Sequence, residues 1–594
     1  MEKWTLRRYG TAAVALVGIL LLLAAAFGSR FRPARAAALN VASVARGGSS
    51  GAADETGTYD VLIRNGHIID GTGNPWYAGD MAVRGDRIVA VGKVEGVTAA
   101  RVIDAAGLVV APGFIDMLGQ SEVSLLIDNR SLSKLSQGIT SEITGEGQSI
   151  APQDDLTLAP LKPFLDHYHL TVDWTALDGY FTRLEKTGTP LNLGTYVGAA
   201  QVREAVLGDA DRAPTAVELD RMKALVAEAM RQGALGVSTA LIYPPGHYAK
   251  TDELIALAQV AAQYGGLYAS HMRSEGQSEM AAIDEAFRIG REVRLPVEIF
   301  HLKVSGKSRQ GGMVQVVARI QATRDSGLDV AASMYPYLAG ATALASCLPP
   351  WVADGGPEKL LDRLRDPATR ERIKTEMAAD HAEWENLYFD SGGAPGVEIS
   401  GVVNPDLKKY DGQTVAQMAE AEHKPPLDAL FDFILADRGQ TGALYFIASE
   451  PDLVEGLRQP WTSIGLDANE TSLDGPLFEP HNHPRAWGSM PRFLGHYVRD
   501  QRLMPMEQAI RKITSFPASR EHLRDRGLLK PGFYADIAVF DPTGLKDAAT
   551  YEQPNVVSEG VKYVFVNGQL EYEHGMLTGV KAGRVLRGPG WRGN

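Results

Sequence analysis

Hydrophobic and polar residues alternate in short runs from Tyr59 onward: YDVLIRNGHIID, then DMAVRGDRIVAVG, then ARVIDAAGLVVAP, with Gly and Asn turns between. Period-two alternation broken by turn residues is the pattern of short antiparallel strands. The same style returns after Leu529, in PGFYADIAVFDP and VKYVFVNGQLEYEHG. Two β pieces at opposite ends of the chain predict one composite β-sandwich, built from residues 58–112 and 525–594. Between them lie eight short apolar runs: LVVAPGFIDM, TSEITGEGQ, LNLGTYVGAA, ALGVSTALIY, GLYASHM, VEIFHLKV, DVAASMYPY and TSIGLDANE. Helical periods separate several of them. TAVELDRMKALVAEAMRQG places Leu219, Met222, Leu225, Val226 and Met230 on one face. TDELIALAQVAAQYG reads as a helix with Thr251 as its N-cap and acids in the first turn. Eight strand–helix units predict an α/β fold, a TIM (β/α)8 barrel over residues 113–524. The gap between the seventh and eighth runs is far longer than the others. Its helical text, 346–442, reads as a lid-like insertion over the barrel mouth.

The N-terminus departs from this pattern. Lys3, Arg7 and Arg8 precede an apolar run from Thr11 to Phe27, and Ala34-Arg35-Ala36 resembles a signal-peptidase site. Residues 1–57 therefore read as an export signal followed by a Gly/Ser/Ala-rich tether, with a periplasmic or secreted product. Arg30, Arg32 and Arg35 keep open the alternative of an uncleaved membrane anchor. Net charge is −13, without a dense basic run, which speaks against nucleic acid as a partner. The single cysteine, Cys347, excludes an intrachain disulfide and a cysteine-rich zinc site.

In a parallel barrel the working side chains project from the C-terminal strand ends. Glu146 closes the second run, His271 the fifth, His301 the sixth and Asp467 the eighth. One carboxylate and two imidazoles suit a hydrolytic metal site that keeps a position for water. Asp467 is then free to act as general base. Taken singly, each has an ordinary structural reading: a hydrogen-bonded strand-end histidine, a turn carboxylate, a cap.

The segments VVAPGFID, GALGVSTALIYPPGHYA, YASHMRSEG, FHLKVSG, YPYLAGATAL, HPRAWGSMPRFLGHYVRD and LLKPGFYADIAVFDP resemble the N-acyl-D-amino-acid deacylase (D-aminoacylase) branch of the amidohydrolase superfamily. The resemblance runs from about Tyr59 to Arg587. It implies a TIM barrel with a β-sandwich, and hydrolysis of N-acyl amino acids to a carboxylate and a free amino acid. It further implies His271 and His301 as metal ligands, Asp467 as the catalytic aspartate, and Glu146 where the family usually has a cysteine. Lys303, Tyr335 and Arg485 match residues that hold the substrate carboxylate.

Departures sharpen the expectation. Leu118 and Gln120 stand where the family has a His-x-His pair, Ala199 where it has a histidine and Ala341 where it has a serine. The implied cofactor is one divalent ion, zinc or else Mn²⁺, Co²⁺ or Fe²⁺, since an oxygen ligand replaces a thiolate. Glu122 is a candidate replacement oxygen, and His481 and His483 read as structural or substrate-contacting. The rival readings are hydrolysis of cyclic amides or dipeptides, and a degenerate protein that only binds its ligand.

Overall fold

The computed structural model describes residues 58–593. The expected leader and tether lie outside them. No helix among the described residues is long and apolar enough to cross a membrane.

All eight apolar runs form strands: Phe114–Asp116, Ile139–Thr144, Asn192–Thr195 continuing as Val197–Gly198, Gly236–Ala240, Leu267–His271, Val297–Ile299, Val330–Met334 and Thr462–Ile464. Each pairs in parallel with the next. Tyr196 interrupts the third strand, whose two halves pair with the second and fourth strands respectively. Met117 N donates to Ile464 O at 3.1 Å, and Asp467 N to Leu118 O at 2.6 Å. These bonds join the first strand to the eighth and close the barrel.

The outer helices bury the faces their periodicity predicts. Ala216–Gln232 opens on a capping box formed by Thr215 and Glu218, and buries Met222, Val226 and Met230. Leu219 and Leu225 are partly buried beside them. Thr251 is a correction: the N-cap is Lys250, and Thr251 is the first helical residue. Its hydroxyl donates to Glu285 at 2.7 Å, tying two neighbouring barrel helices together.

The two ends of the chain meet in one continuous nine-stranded sheet. Its central strand, Thr58–Ile68, pairs with Tyr77–Arg84, Thr98–Asp104 and Val109–Pro112. Val109–Pro112 pairs in turn with the C-terminal strand Ile537–Phe540. Alternation explains why these last two strands are buried on both faces. Val110, Ile537 and Val539 join the small domain's own core. Val109, Ala111, Ala538 and Phe540 face the apolar cluster of the barrel. The tail then leaves this sheet. Arg584 O accepts from Leu193 N at 3.0 Å, and Leu586 N donates to Leu193 O at 2.8 Å, so residues 583–588 run along the third barrel strand.

The long connection after the seventh strand carries a three-stranded antiparallel sheet of Ala339–Ala343, Gly442–Phe446 and Val397–Ser400. It has its own apolar cluster, including Leu344, Val352, Phe431 and Tyr445. The added unit thus reaches beyond the 346–442 read from the sequence at both ends.

Beneath the barrel mouth lies a charged group the apolar pattern does not announce. Lys134, fully buried, sits 2.8 Å from Asp116 and 3.4 Å from Glu142, and donates to Ala468 O at 2.8 Å. The other oxygen of Asp116 accepts the N–H groups of Leu118 and Leu466. The cluster therefore binds the first, second and eighth strands to one another. Removing one member of such a buried set leaves uncompensated charge, at a cost of about 3–5 kcal/mol. Lys134→Met is expected to lower the unfolding free energy by about that much in urea titrations; an unchanged midpoint would show that the cluster is not what joins these strands.

Candidate active site

The site is built where the strands end. Glu146 lies in a turn after the second strand, between Gly145 at φ +91° and Gly147 at φ +68°. A Cβ at position 147 would meet Ala240 N at 2.4 Å, so the turn needs glycine both for its backbone and for its close approach to the fourth strand. His271 is the last residue of the fifth strand, and His301 and Asp467 follow the sixth and eighth. His301 at φ +35° and Asp467 at φ +51° hold left-handed backbones rare for such residues. Strain of this kind gathers where side chains are aimed for use.

The structure brings together the three expected ligands. Glu146 Oε1 lies 2.9 Å from His271 Nδ1 and 2.8 Å from His301 Nε2. All three residues are candidates for one cation by the spacing of their ligand atoms. His301 Nδ1 lies 3.0 Å from Glu275, the carboxylate–imidazole arrangement that orients a metal ligand. Buried His271 Nε2 has no hydrogen-bond partner among the described residues. One carboxylate oxygen and two ring nitrogens converging at the mouth are a donor set that fits a divalent ion such as zinc.

Electrostatics follow from this crowding. Burial works against ionisation of Glu146, yet the two imidazoles hold its carboxyl well below the usual range. Burial and Lys303 pull His301 down, but Glu275 and Glu146 outweigh them and raise it to about 9. Glu275, despite burial, is lowered to about 2 by Lys303 and His301.

Asp467 stands beside the ligand set. Gln120 Nε2 donates to Glu146 Oε2 at 2.6 Å and to Asp467 Oδ1 at 3.2 Å. Two carboxylates as neighbours dictate which end of the amide faces them. Leu118 instead packs with Ile115, Ile143 and Phe300. Arg485 places NH1 2.8 Å from Asp467 Oδ2 and its guanidinium 4.7 Å from the Tyr335 ring centre. NH1 is thus engaged by Asp467, whereas Nε makes no hydrogen bond among the described residues. Lys303, expected to hold the substrate carboxylate, has its ammonium held by both oxygens of Glu275, at 2.7 and 2.8 Å. Ala341 offers only its backbone oxygen, 3.4 Å from Arg485 NH2.

Other candidates fall outside the ligand set. Glu122 is raised to about 7 by burial and is stabilised by Thr144 and the amide of Gly145. His483 donates from Nε2 to Ala339 O and accepts the N–H of Arg485 at Nδ1, so it supports the clamp rather than a metal. Sequence reasoning missed Glu275 and the bridging role of Gln120. Glu275 was in view within SHMRSEG, but a carboxylate four residues past a histidine carries no spacing signal. The insertion contributes Glu385, whose Oε2 accepts the backbone N–H of Glu275 at 2.6 Å. Burial and the neighbouring Glu275 raise Glu385 to about 8. The whole constellation lines one cavity of about 910 Å³.

Residues 101–572 match the amidohydrolase family. D-aminoacylase of Alcaligenes xylosoxydans xylosoxydans is 35% identical, over 89% of this chain and 97% of the relative. N-acyl-D-aspartate deacylase of the same organism is 34% identical, over 89% and 95%. The crystal structure of N-acyl-D-glutamate deacylase from Bordetella bronchiseptica, complexed with zinc and a phosphonate mimic of the tetrahedral intermediate, superposes with a TM-score of 0.74 at 30% identity, covering 89% of this chain and all of that one.

An ion binding here displaces the proton that His301 carries below about pH 9. In the metal-free protein, the pairing that raises His301 above 6.5 stabilises the fold fully below pH 6.5 and is lost as pH climbs through about 9. Apparent Zn²⁺ affinity is expected to rise about tenfold per pH unit from 7 to about 9 and then level off, in chelator-competition titrations. A flat profile would mean that His301 is neutral before the ion arrives. With its barrel, its converging ligands and relatives that match along nearly their whole length, this chain belongs to the amidohydrolase family, in its D-aminoacylase branch.

Proposed function

We propose that the protein hydrolyses N-acyl-D-amino acids, using one divalent cation held by Glu146, His271 and His301. The observation that carries this is the joint presence, in one cavity, of that ligand set, of Asp467 and of a guanidinium whose Nε has no hydrogen bond among the described residues. The D configuration is supported by the relatives, which are named for D-amino acids. A single cation is supported by Leu118, which is packed into the core, and by Gln120, whose N–H groups face the carboxylate oxygens that a second ion would need.

When bound, the cation lowers the pKa of water and polarises the acyl carbonyl. The chain's own groups do the rest. Arg485 fits the substrate's carboxylate, since its Nε is a buried donor lacking a hydrogen bond among the described residues, NH1 is held toward the site by Asp467, and a guanidinium suits an anion. Lys303 adds positive charge from the same wall while Glu275 fixes its position. Asp467 takes the proton of the attacking water at a carboxylate oxygen. It then returns that proton to the leaving nitrogen as the amide C–N bond breaks. The products are a carboxylate and a free amino acid.

Asp467→Asn is expected to keep one equivalent of metal while kcat falls on the order of 10³-fold. Turnover within twofold of wild type would remove Asp467 from the role of base. Arg485→Met is expected to raise KM for N-acetyl-D-amino acids at least tenfold and to spare metal content. An unchanged KM would place the carboxylate elsewhere. Comparing D- and L-substrates, dipeptides and cyclic imides with the wild-type protein tests the substrate class itself.

A further inference from the structure

The cavity is larger than the chemistry needs. About 910 Å³ lies near the top of the range for sites that take drug-sized ligands, whereas an N-acetyl amino acid is small. Its floor is polar, with the ligand set and the clamp. Its outer wall mixes exposed apolar side chains with polar ones, His167, Tyr168 and Glu479 among them. Helix Lys162–His167 buries none of its residues. Its Phe164 is 43% exposed and lines the cavity with Pro160 and Pro163. Val403 of the insertion is 50% exposed and lines the same cavity. A second chamber of about 320 Å³ shares Gln148, Pro160 and Pro244 with the first, and its walls include Leu161, Ala345 and Leu360. Two separate segments thus bring exposed apolar side chains to one opening, where neither serves the core. Apolar surface gathered in this way marks a place where an apolar ligand lies.

We propose that the preferred substrates carry a long aliphatic acyl chain, which runs from the scissile carbonyl along the wall formed by Phe164 and Val403. This rests on the amide-hydrolase reading above and adds the acyl class to it. The carboxylate end is fixed at Arg485, so the acyl end is the part of the substrate free to reach the rim. Pro160, Pro163, Phe164 and Val403 offer apolar surface that suits methylenes, while His167, Tyr168 and Glu479 line the same cavity.

Each buried methylene is worth about 0.8 kcal/mol, close to fourfold in binding. For the full-length protein, kcat/KM is expected to rise at least 100-fold from N-acetyl- to N-dodecanoyl-D-leucine. The dodecanoyl-to-acetyl ratio is expected to fall at least tenfold in both Phe164→Asp and Val403→Asp. A ratio near one in wild type, with acetyl substrate still cleaved, overturns the acyl-chain proposal and leaves the hydrolase reading standing. If neither substrate is cleaved, the hydrolase reading fails. The proposal is then decided by calorimetry, with N-dodecanoyl-D-leucine expected to bind at least 100-fold tighter than N-acetyl-D-leucine and equal affinities overturning it. Should phosphatidylcholine vesicles sediment the protein in a Phe164-dependent way while the ratio stays flat, the rim serves a lipid surface and the proposal is overturned.

Discussion

One oxygen atom organises the active end of this barrel. Glu146 Oε1 receives an imidazole nitrogen from the fifth strand and another from beyond the sixth. A carboxylate almost out of water is tolerated only where positive or donating groups surround it. The second, fifth and sixth strands are therefore held in register by chemistry as well as by their ladder. Local backbone serves the same end. The glycines around Glu146 let it turn inward, and His301 and Asp467 accept unusual backbone angles to face the same point.

The two positions that depart from the family pattern have different physical outcomes. Leu118 repays its place by packing in an apolar cluster under the mouth. Gln120 keeps its side chain in the cavity and shares its amide between the carboxylates of Glu146 and Asp467. Two negative groups that close require an intervening donor, and a neutral amide supplies it without adding charge. Below them, the Lys134–Asp116–Glu142 cluster compensates further carboxylates in the barrel interior.

Most of the barrel was legible because its strands are short, apolar and spaced by helical periods. The polar residues at their ends, Glu146, His271, His301 and Asp467, stand out against that background. The partners of those residues were harder to see. Nothing about Glu275 four residues after His271 shows that it orients His301, because that contact joins two loops across the mouth. Lys303 was legible as a cavity residue but not as one already paired. Lys134 was invisible for a general reason: a lysine in a polar stretch reads as exposed, and only the closed barrel reveals that it is buried with two acids. The end sheet was legible strand by strand, while its branching at Thr58–Ile68 and the run of the tail beside the third barrel strand arise from long-range pairing that local pattern does not encode.

Glu385 gives the insertion more than a covering role. Through the amide of Glu275 it touches the group that steadies both the sixth-strand imidazole and the clamp lysine. Ser305 and Arg309, which donate to Asp390 and Asp380 of the insertion, tie the same loops to it, so tilt of the outer unit and aim of the inner nitrogen are mechanically linked. A shift of that unit would reach the imidazole through the Glu275 carboxylate.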